Sequence, residues 1–174
     1  MFSSSPTSPT IAASGWVHQV GVNPDGGVPK RATPEAFIAV EGVRGDRQRN
    51  LEHHGGPNRA VCLYSLERIE ALRAEGHPIE PGSAGENLTV AGIDWDKVVP
   101  GMRLKIGESV ELAVVSFTAP CKTIAGSFRN GEFVRVLQQR HPGFSRVYAK
   151  VLREGVVRLG DSVSLLSSSA QRAE

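Results

Sequence analysis

The stretch MRLKIGESVELAVVSF, residues 102–117, gives the clearest indication of how this chain folds. Residues 102–106 alternate apolar and polar side chains with the period of two that is typical of a half-buried strand. Gly107-Glu108 interrupts this pattern as a turn, and a second apolar run follows at residues 110–117. We therefore predict a β-hairpin over residues 102–117.

Short elements of the same kind are predicted on both sides of the hairpin. Strands are predicted at residues 16–22, 36–40, 58–63, 87–90 and 146–151, with two more inside 156–166. Helices are predicted from the N-cap Ser65 to about Glu75, and from Glu132 to Arg140. Nineteen glycines and eleven prolines imply many turns. We expect a mainly β fold with two or three helices (α+β), in which residues 15–166 form a single closed β-barrel domain.

The ends and the composition set the expected class of protein. Residues 1–14 are rich in Ser, Thr and Pro, and residues 167–174 are polar, so both are expected to be disordered tails. No apolar run approaches the roughly 20 residues of a membrane span, and the N-terminus lacks the features of a secretory signal. Two cysteines do not make a disulfide framework. We therefore expect a cytoplasmic protein.

Cys121 follows the hairpin directly, after Ala119-Pro120. Pro120 fixes its own φ and restricts the residue before it, so the thiol is held on a stiff stem. Lys122 favours the thiolate, the form that binds metals and attacks electrophiles. If the Cys121 thiol faces a cleft, it is a functional group; if it faces the core, it only fills space there. The sequence leaves both interpretations open. Cys62, in an apolar run, is better explained as a buried inert cysteine.

Three further stretches contain residue types that bind ligands. Lys30 ends an early glycine-rich turn. His54 stands beside Gly55-Gly56, where backbone amides can approach an anion closely; His54 could donate a hydrogen bond, bind a metal or shuttle a proton, or simply lie in an exposed loop. Glu86-Asn87 could hold a heterocycle through the amide, or could only close a turn. Asp46 and Arg47, taken alone, are typical of a structural ion pair.

Charge is unevenly distributed although the net charge is only +2. Residues 122–153 contain seven basic residues and one acidic residue, Glu132. This basic segment suits an anionic ligand, or forms a solvated face. A nucleic-acid-binding barrel would also use it, but an aromatic content of 6% provides little surface for base stacking. Close Cys or His pairs for zinc, nucleotide-binding glycine motifs and a Gly-x-Ser-x-Gly motif are all absent from the sequence.

Taken together, these stretches resemble the MOSC domain family, the relatives of the C-terminal domain of molybdenum cofactor sulfurase, and in particular its small stand-alone YiiM-like bacterial members. The resemblance covers about residues 15–166. It rests on five motifs in the family's order: Gly26-Gly27-Val28-Pro29-Lys30, Gly45-Asp46-Arg47, the run from His54-Gly55-Gly56 to Val61, Gly85-Glu86-Asn87-Leu88-Thr89, and Pro120-Cys121.

The resemblance implies a barrel of the MOSC or pyruvate-kinase-barrel-like type and a site for the molybdenum cofactor, molybdopterin. Cys121 matches the cysteine that ligates molybdenum in reductase relatives, which agrees with the softness of a thiolate ligand. The implied cofactor-binding positions are Lys30 near the pterin phosphate, Glu86 and Asn87 near the pterin, and His54, Gly55 and Gly56 lining the cleft. Arg47, Arg49 and Lys122 are assigned from their charge as further phosphate or substrate contacts.

The related enzymes reduce N-hydroxylated compounds, including hydroxylaminopurines, to amines. For this chain the resemblance implies that Cys121 and His54 are catalytic, with His54 as the proton donor. Electrons would come from a separate flavin or iron–sulfur reductase, because the sequence contains no flavin or nicotinamide motif and no iron–sulfur cysteine cluster. The alternative is a non-enzymatic carrier in which Cys121 holds sulfur as a persulfide or delivers cofactor. Neither nucleic acid nor membrane is an expected partner, and a homodimer is left open.

Overall fold

The computed structural model describes residues 14–47 and 56–166. The elements in this part of the chain are β1 (Gly15–Val22), β2 (Arg31–Thr33), β3 (Glu35–Ala39), β4 (Gly42–Val43), β5 (Val61–Ser65), α1 (Leu66–Ala74), β6 (Leu88–Ala91), β7 (Arg103–Ile106), β8 (Val110–Phe117), β9 (Val147–Arg153), β10 (Gly155–Arg158) and β11 (Ser162–Leu166). Short 3-10 helices lie at Pro57–Arg59, Trp95–Lys97, Lys122–Ser127, Arg129–Gly131 and Phe133–Val136.

Seven strands form a closed barrel in the order β11-β7-β8-β9-β5-β6-β1. The barrel closes where β1 pairs with β11, with Gly15 opposite Val163 and Trp16 opposite Ser162. Only β5 and β6 run parallel; the other neighbouring strands of the barrel are antiparallel. Closure leaves these strands no free edges. The expected closed barrel is confirmed.

The predicted hairpin is β7 and β8, paired from Arg103 opposite Ala113 to Ile106 opposite Val110. Leu104 and Ile106 are fully buried, whereas the intervening Lys105 is exposed, as the period of two predicts. The shortest strands were not predicted. β2 pairs with the end of β1, and β4 completes a separate sheet in the order β10-β3-β4. Two or three residues are too few to show an alternating pattern.

Helix α1 provides the connection that the parallel pair β5–β6 requires. Ser65 caps its N-terminus, because the Oγ atom accepts a hydrogen bond from the Arg68 N–H at 3.2 Å. Ile69 and Leu72, at helical spacing, are fully buried against the barrel. The first predicted helix is confirmed.

The second predicted helix, residues 132–140, is shorter and of a different type. Only Phe133–Val136 is helical, as a 3-10 turn, and Leu137 already has extended backbone angles. Phe133 and the β-branched Val134 and Val136 have low helix propensity, and Glu132 has a non-helical ψ of 53°. Residues 118–146 therefore form a long connection built from 3-10 turns.

Some expectations concern residues outside the described ranges. These are the tail at residues 167–174, all but the last residue of the tail at 1–14, and His54, Gly55 and Arg49 of the site. Among the described residues, no helix is long and apolar enough to cross a membrane.

Candidate functional site

A row of polar side chains runs across four neighbouring strands of the barrel. Tyr148 on β9 lies opposite Ser116 on β8 and opposite Cys62 on β5. Residues directly opposite each other in a sheet place their side chains on the same face. Asn87, just before β6, continues the row: its N–H donates to the Cys62 carbonyl oxygen at 2.8 Å, and its Oδ1 accepts from the Cys62 N–H at 3.1 Å. We call Ser116, Tyr148, Cys62 and Asn87 the polar row.

Asp46 joins Lys30 to the Asn87 end of the polar row. Its Oδ1 accepts from the Lys30 Nζ atom at 2.8 Å and from the Asn23 N–H at 2.8 Å. Its Oδ2 accepts from Lys30 at 2.9 Å and from the Asn87 Nδ2 atom at 2.8 Å. The Lys30 and Asp46 side chains are only 9% and 5% exposed. Asp46 is thus in an ion pair, but its partner is Lys30 and not the neighbouring Arg47.

Asn87 is fully engaged within the protein. Its second amide hydrogen bond goes to the Gly21 carbonyl oxygen at 3.2 Å, so both donors and the acceptor have protein partners. This arrangement fixes the amide orientation and ties β1, β5 and the Asp46 loop together. The structure brings Asn87 and Lys30 together through Asp46, and both have protein partners there.

Glu86 is buried beside Asn87. Its Oε1 accepts from the Gly82 N–H at 2.6 Å and from the Thr89 hydroxyl at 3.0 Å. Burial raises the pKa of the Glu86 carboxyl, and these hydrogen bonds only partly oppose that effect. The remaining oxygen, Oε2, has no hydrogen-bond partner among the described residues. Glu86 therefore holds the turn at residues 82–86 from inside.

Arg146, the residue before β9, is also buried. Its Nη1 donates to the Ala84 carbonyl oxygen at 2.6 Å, while its Nε is buried with no partner among the described residues. Arg146 lies two residues before Tyr148 of the polar row, and its bond to Ala84 holds the guanidinium near the Glu86–Asn87 turn. In the sequence Arg146 belongs to the basic segment and begins the predicted strand 146–151, and neither position distinguishes it as a site residue.

Cys121 is a free, half-buried thiol three residues beyond the Thr118 that follows β8. It directly precedes the 3-10 helix Lys122–Ser127. Burial, followed by Cys62, raises the pKa of Tyr148 to about 12, and Cys121 adds to that shift, so the Cys121 thiol lies within electrostatic range of the Tyr148 phenol. Cys62 differs: burial raises the pKa of its thiol to about 12, so it stays protonated.

The other described candidates are more exposed. Arg47 and Lys122 are exposed, and the backbone N–H of Arg47 donates to the Asn23 carbonyl oxygen at 3.1 Å. Gly56 is exposed with a φ of +81° and precedes the 3-10 helix Pro57–Arg59. Arg59, at the end of that helix, holds its guanidinium 5.6 Å from the centre of the Tyr148 ring. Tyr148 was not among the predicted site residues.

Two further observations limit the kinds of site. In residues 14–47 and 56–166, no group of three or more His, Cys, Asp or Glu side chains is arranged to hold a metal ion. A surface depression of about 530 Å³ lies over β7, β8 and β9 and is lined by Arg103, Lys150 and Leu152, among others. Of the predicted site residues that the structure describes, none lines that depression.

Curated relatives match a large part of the chain. YflK of Bacillus subtilis is 36% identical over 143 residues, which is 81% of this chain. A protein named Reductase from Gibberella moniliformis is 32% identical over 75% of this chain, and YiiM of Escherichia coli is 26% identical over 60%. The chain spans less than two thirds of each relative: 63% of YflK, 23% of the Reductase and 48% of YiiM.

Solved structures share the fold. YiiM from Geobacillus stearothermophilus superposes with a TM-score of 0.68 at 22% identity, over 88% of this chain and 75% of that one. The YUAD protein from Bacillus subtilis gives a TM-score of 0.67 at 17% identity, over 87% of this chain and 95% of that one. The MOSC domain model matches residues 50–164, which is more than half of the sequence. The chain belongs to the MOSC domain family.

Proposed function

We propose that this chain binds the molybdenum cofactor and reduces N-hydroxylated compounds of the hydroxylaminopurine kind, with electrons from a separate flavin or iron–sulfur reductase. Membership of the MOSC family and a relative named Reductase support an oxidoreductase of this type. The observation that carries the proposal is the contrast between the two thiols. Cys121 is half-buried on the loop after β8, whereas Cys62 is enclosed in a strand and stays protonated.

The residues present fit a soft metal held by one protein thiolate. Cys121 would be the ligand to molybdenum, because a thiolate suits a soft metal and no other described cysteine is exposed. Arg47 and Lys122, which are exposed, would supply positive charge for the anionic part of the cofactor. Lys30 would lie near that part with its charge compensated by Asp46, and Gly56 with His54 and Gly55 would line the cleft. In this proposal Glu86 and Asn87 act by positioning, since Asn87 and one Glu86 oxygen are already engaged within the protein.

When bound, the cofactor supplies the two electrons that break the N–O bond. The balanced change is R–NHOH plus two electrons and two protons, giving R–NH2 and water. The protein must then hold protons close to the thiol. His54 is the proposed donor, because burial raises the pKa of Tyr148 to about 12 and so makes its phenol a weaker acid than an ordinary tyrosine.

The test is the metal content of protein produced in a host that makes the cofactor. We expect near-stoichiometric molybdenum in the natural protein, its loss in Cys121→Ser, and its retention in the matched control Cys62→Ser. The natural protein should then convert a hydroxylaminopurine to the amine when a chemical reductant is supplied. Melting temperatures of both variants separate loss of a ligand from loss of the fold.

Other outcomes would reject the proposal. Molybdenum retained by Cys121→Ser would show that this thiol is not the ligand. Absence of molybdenum from the natural protein, together with a sulfane sulfur on Cys121 that passes to an acceptor thiol, would establish the carrier function in its place.

A further inference from the structure

Arg146 is a buried cation that forms no ion pair with any residue in the described part of the chain. The residue is 6% exposed, and in the described part of the chain its guanidinium makes one hydrogen bond, to the Ala84 carbonyl oxygen. None of the ion pairs among residues 14–47 and 56–166 includes it. A guanidinium carries five N–H donors, so most of its hydrogen-bonding capacity is unused by these residues.

A buried guanidinium with so few partners is unfavourable unless another group pairs with its charge. Buried charges in proteins are as a rule paired, because removing an ion from water costs several kcal/mol. Arg135, on the same long connection, shows the usual solution: its Nη2 and Nε donate to the Glu75 carboxylate at 2.6 and 3.0 Å. The barrel offers Arg146 no equivalent partner among its described residues.

Glu86 does not take that role. It interacts with Arg146 electrostatically, yet no ion pair forms between them: Oε1 is engaged by Gly82 and Thr89, and Oε2 has no hydrogen-bond partner among the described residues. The charge of Arg146 instead acts on Cys62 and Tyr148 of the polar row. Geometry places this cation beside the proposed site: Arg146 directly precedes β9, two residues before Tyr148, and its Nη1 atom bonds to Ala84, two residues before Glu86.

We propose that Arg146 is an anion-binding residue of this site and that it takes a tetrahedral oxyanion of the phosphate class. The planar fork of a guanidinium matches two oxygens of such a group, and its unpaired N–H groups are the donors required. The identity of the natural ligand rests on the proposed function: the oxyanion belongs either to the cofactor or to a phosphate-bearing substrate.

Titration of cofactor-free protein with inorganic phosphate, followed by calorimetry, tests the anion site. We expect Arg146→Gln to weaken phosphate binding by roughly tenfold or more, since a hydrogen bond to a charged group contributes about 1.5–3 kcal/mol. Arg146→Lys keeps the positive charge and loses the planar guanidinium fork. Its affinity for phosphate should therefore lie between that of the natural protein and that of Arg146→Gln. The control Arg135→Gln should bind phosphate as the natural protein does.

Thermal unfolding gives a second readout. Phosphate should raise the melting temperature of the natural protein and not that of Arg146→Gln. Without phosphate, Arg146→Gln should be no less stable than the natural protein, because it removes an uncompensated buried charge. A natural protein that does not bind phosphate, or an Arg146→Gln variant that binds it equally well, overturns the proposal.

Cofactor content separates this inference from the proposed function. Loss of both phosphate binding and molybdenum in Arg146→Gln assigns the oxyanion to the cofactor. Loss of phosphate binding with molybdenum retained assigns it to a substrate. If the natural protein holds no molybdenum but binds phosphate through Arg146, the proposed function fails and the anion site stands.

Discussion

A single carboxylate organises one end of the candidate site. Asp46 accepts four hydrogen bonds, two from the Lys30 ammonium, one from the Asn87 amide and one from the Asn23 backbone. These partners come from two separate segments of the chain, the β1–β2 connection and the residue before β6. Because the Lys30 charge is compensated by Asp46, the ammonium is oriented before any ligand arrives.

Replacing Asp46 tests how much of the structure depends on it. Asp46→Ala should destabilise the protein by about 3 kcal/mol, because it leaves the largely buried Lys30 ammonium uncompensated. The double variant Asp46→Leu with Lys30→Met should recover much of that loss. Urea unfolding measures both.

The matched control for Asp46 is an exposed aspartate. Asp25 and Arg31 lie 3.9 Å apart with side chains that are 77% and 68% exposed, so Asp25→Ala should change stability by less than about 1 kcal/mol. Equal losses in Asp46→Ala and Asp25→Ala would show that the buried network contributes little.

At the scale of elements, the turn at residues 82–86 positions Lys30, the residue before β2. Gly82 accepts a hydrogen bond from the Lys30 N–H at 2.9 Å, and its φ is +85°. A Cβ atom on Gly82 would overlap the Lys30 carbonyl oxygen and crowd the Gln19 Nε2 atom at 2.9 Å. Only glycine permits this approach of the two backbones.

Gly82→Ala should therefore move Lys30 as well as strain the turn. We expect a loss of about 2–4 kcal/mol from the left-handed φ and the overlap together. Gly101→Ala is the control, because Gly101 has a φ of +94° but nothing within 4 Å of its Cβ, so about 1–2 kcal/mol is expected there. Urea unfolding should show a larger loss of stability for Gly82→Ala than for Gly101→Ala. Equal losses would mean that the backbones at residues 82 and 30 move apart at no cost in free energy.

The elements divide into those that the sequence could predict and those that it could not. Residues 102–117 alternate regularly, and Ser65 stands before a helical repeat, so the hairpin and α1 were predicted with their types and nearly their bounds. Residues 132–140 have helical spacing, but their β-branched and aromatic side chains and the packing of the long connection limit them to one 3-10 turn.

The site was harder to predict, for a physical reason. Cys121 could be selected because a proline and a strand end precede it. Arg146 and Tyr148 could not, because their importance depends on strand register: Tyr148 matters because it lies opposite Cys62, and Arg146 because the barrel buries it. Register and burial are set by pairings between distant segments.

At the scale of the whole molecule, the stability of the fold depends on pH through Glu86. Barrel closure and the packing of the turn at residues 82–86 leave the Glu86 carboxyl fully enclosed, which raises its pKa above the ordinary value of 4.5. The folded protein therefore binds this proton more tightly than the unfolded chain does. Stability that depends on the protonated form is present below about pH 4.5 and is lost as the pH rises through the folded pKa.

Glu86→Gln isolates this effect, because glutamine cannot ionise and keeps an oxygen to accept from Gly82 and Thr89. The free energy of unfolding of Glu86→Gln, relative to the natural protein, should therefore increase as the pH rises above 4.5. Urea unfolding between about pH 5 and pH 8 measures the difference. A constant difference for Glu86→Gln would mean that the buried carboxyl is ionised in the folded protein, where the Arg146 charge acts to lower its pKa. That result would also give Arg146 the counter-charge that the anion site requires it to lack.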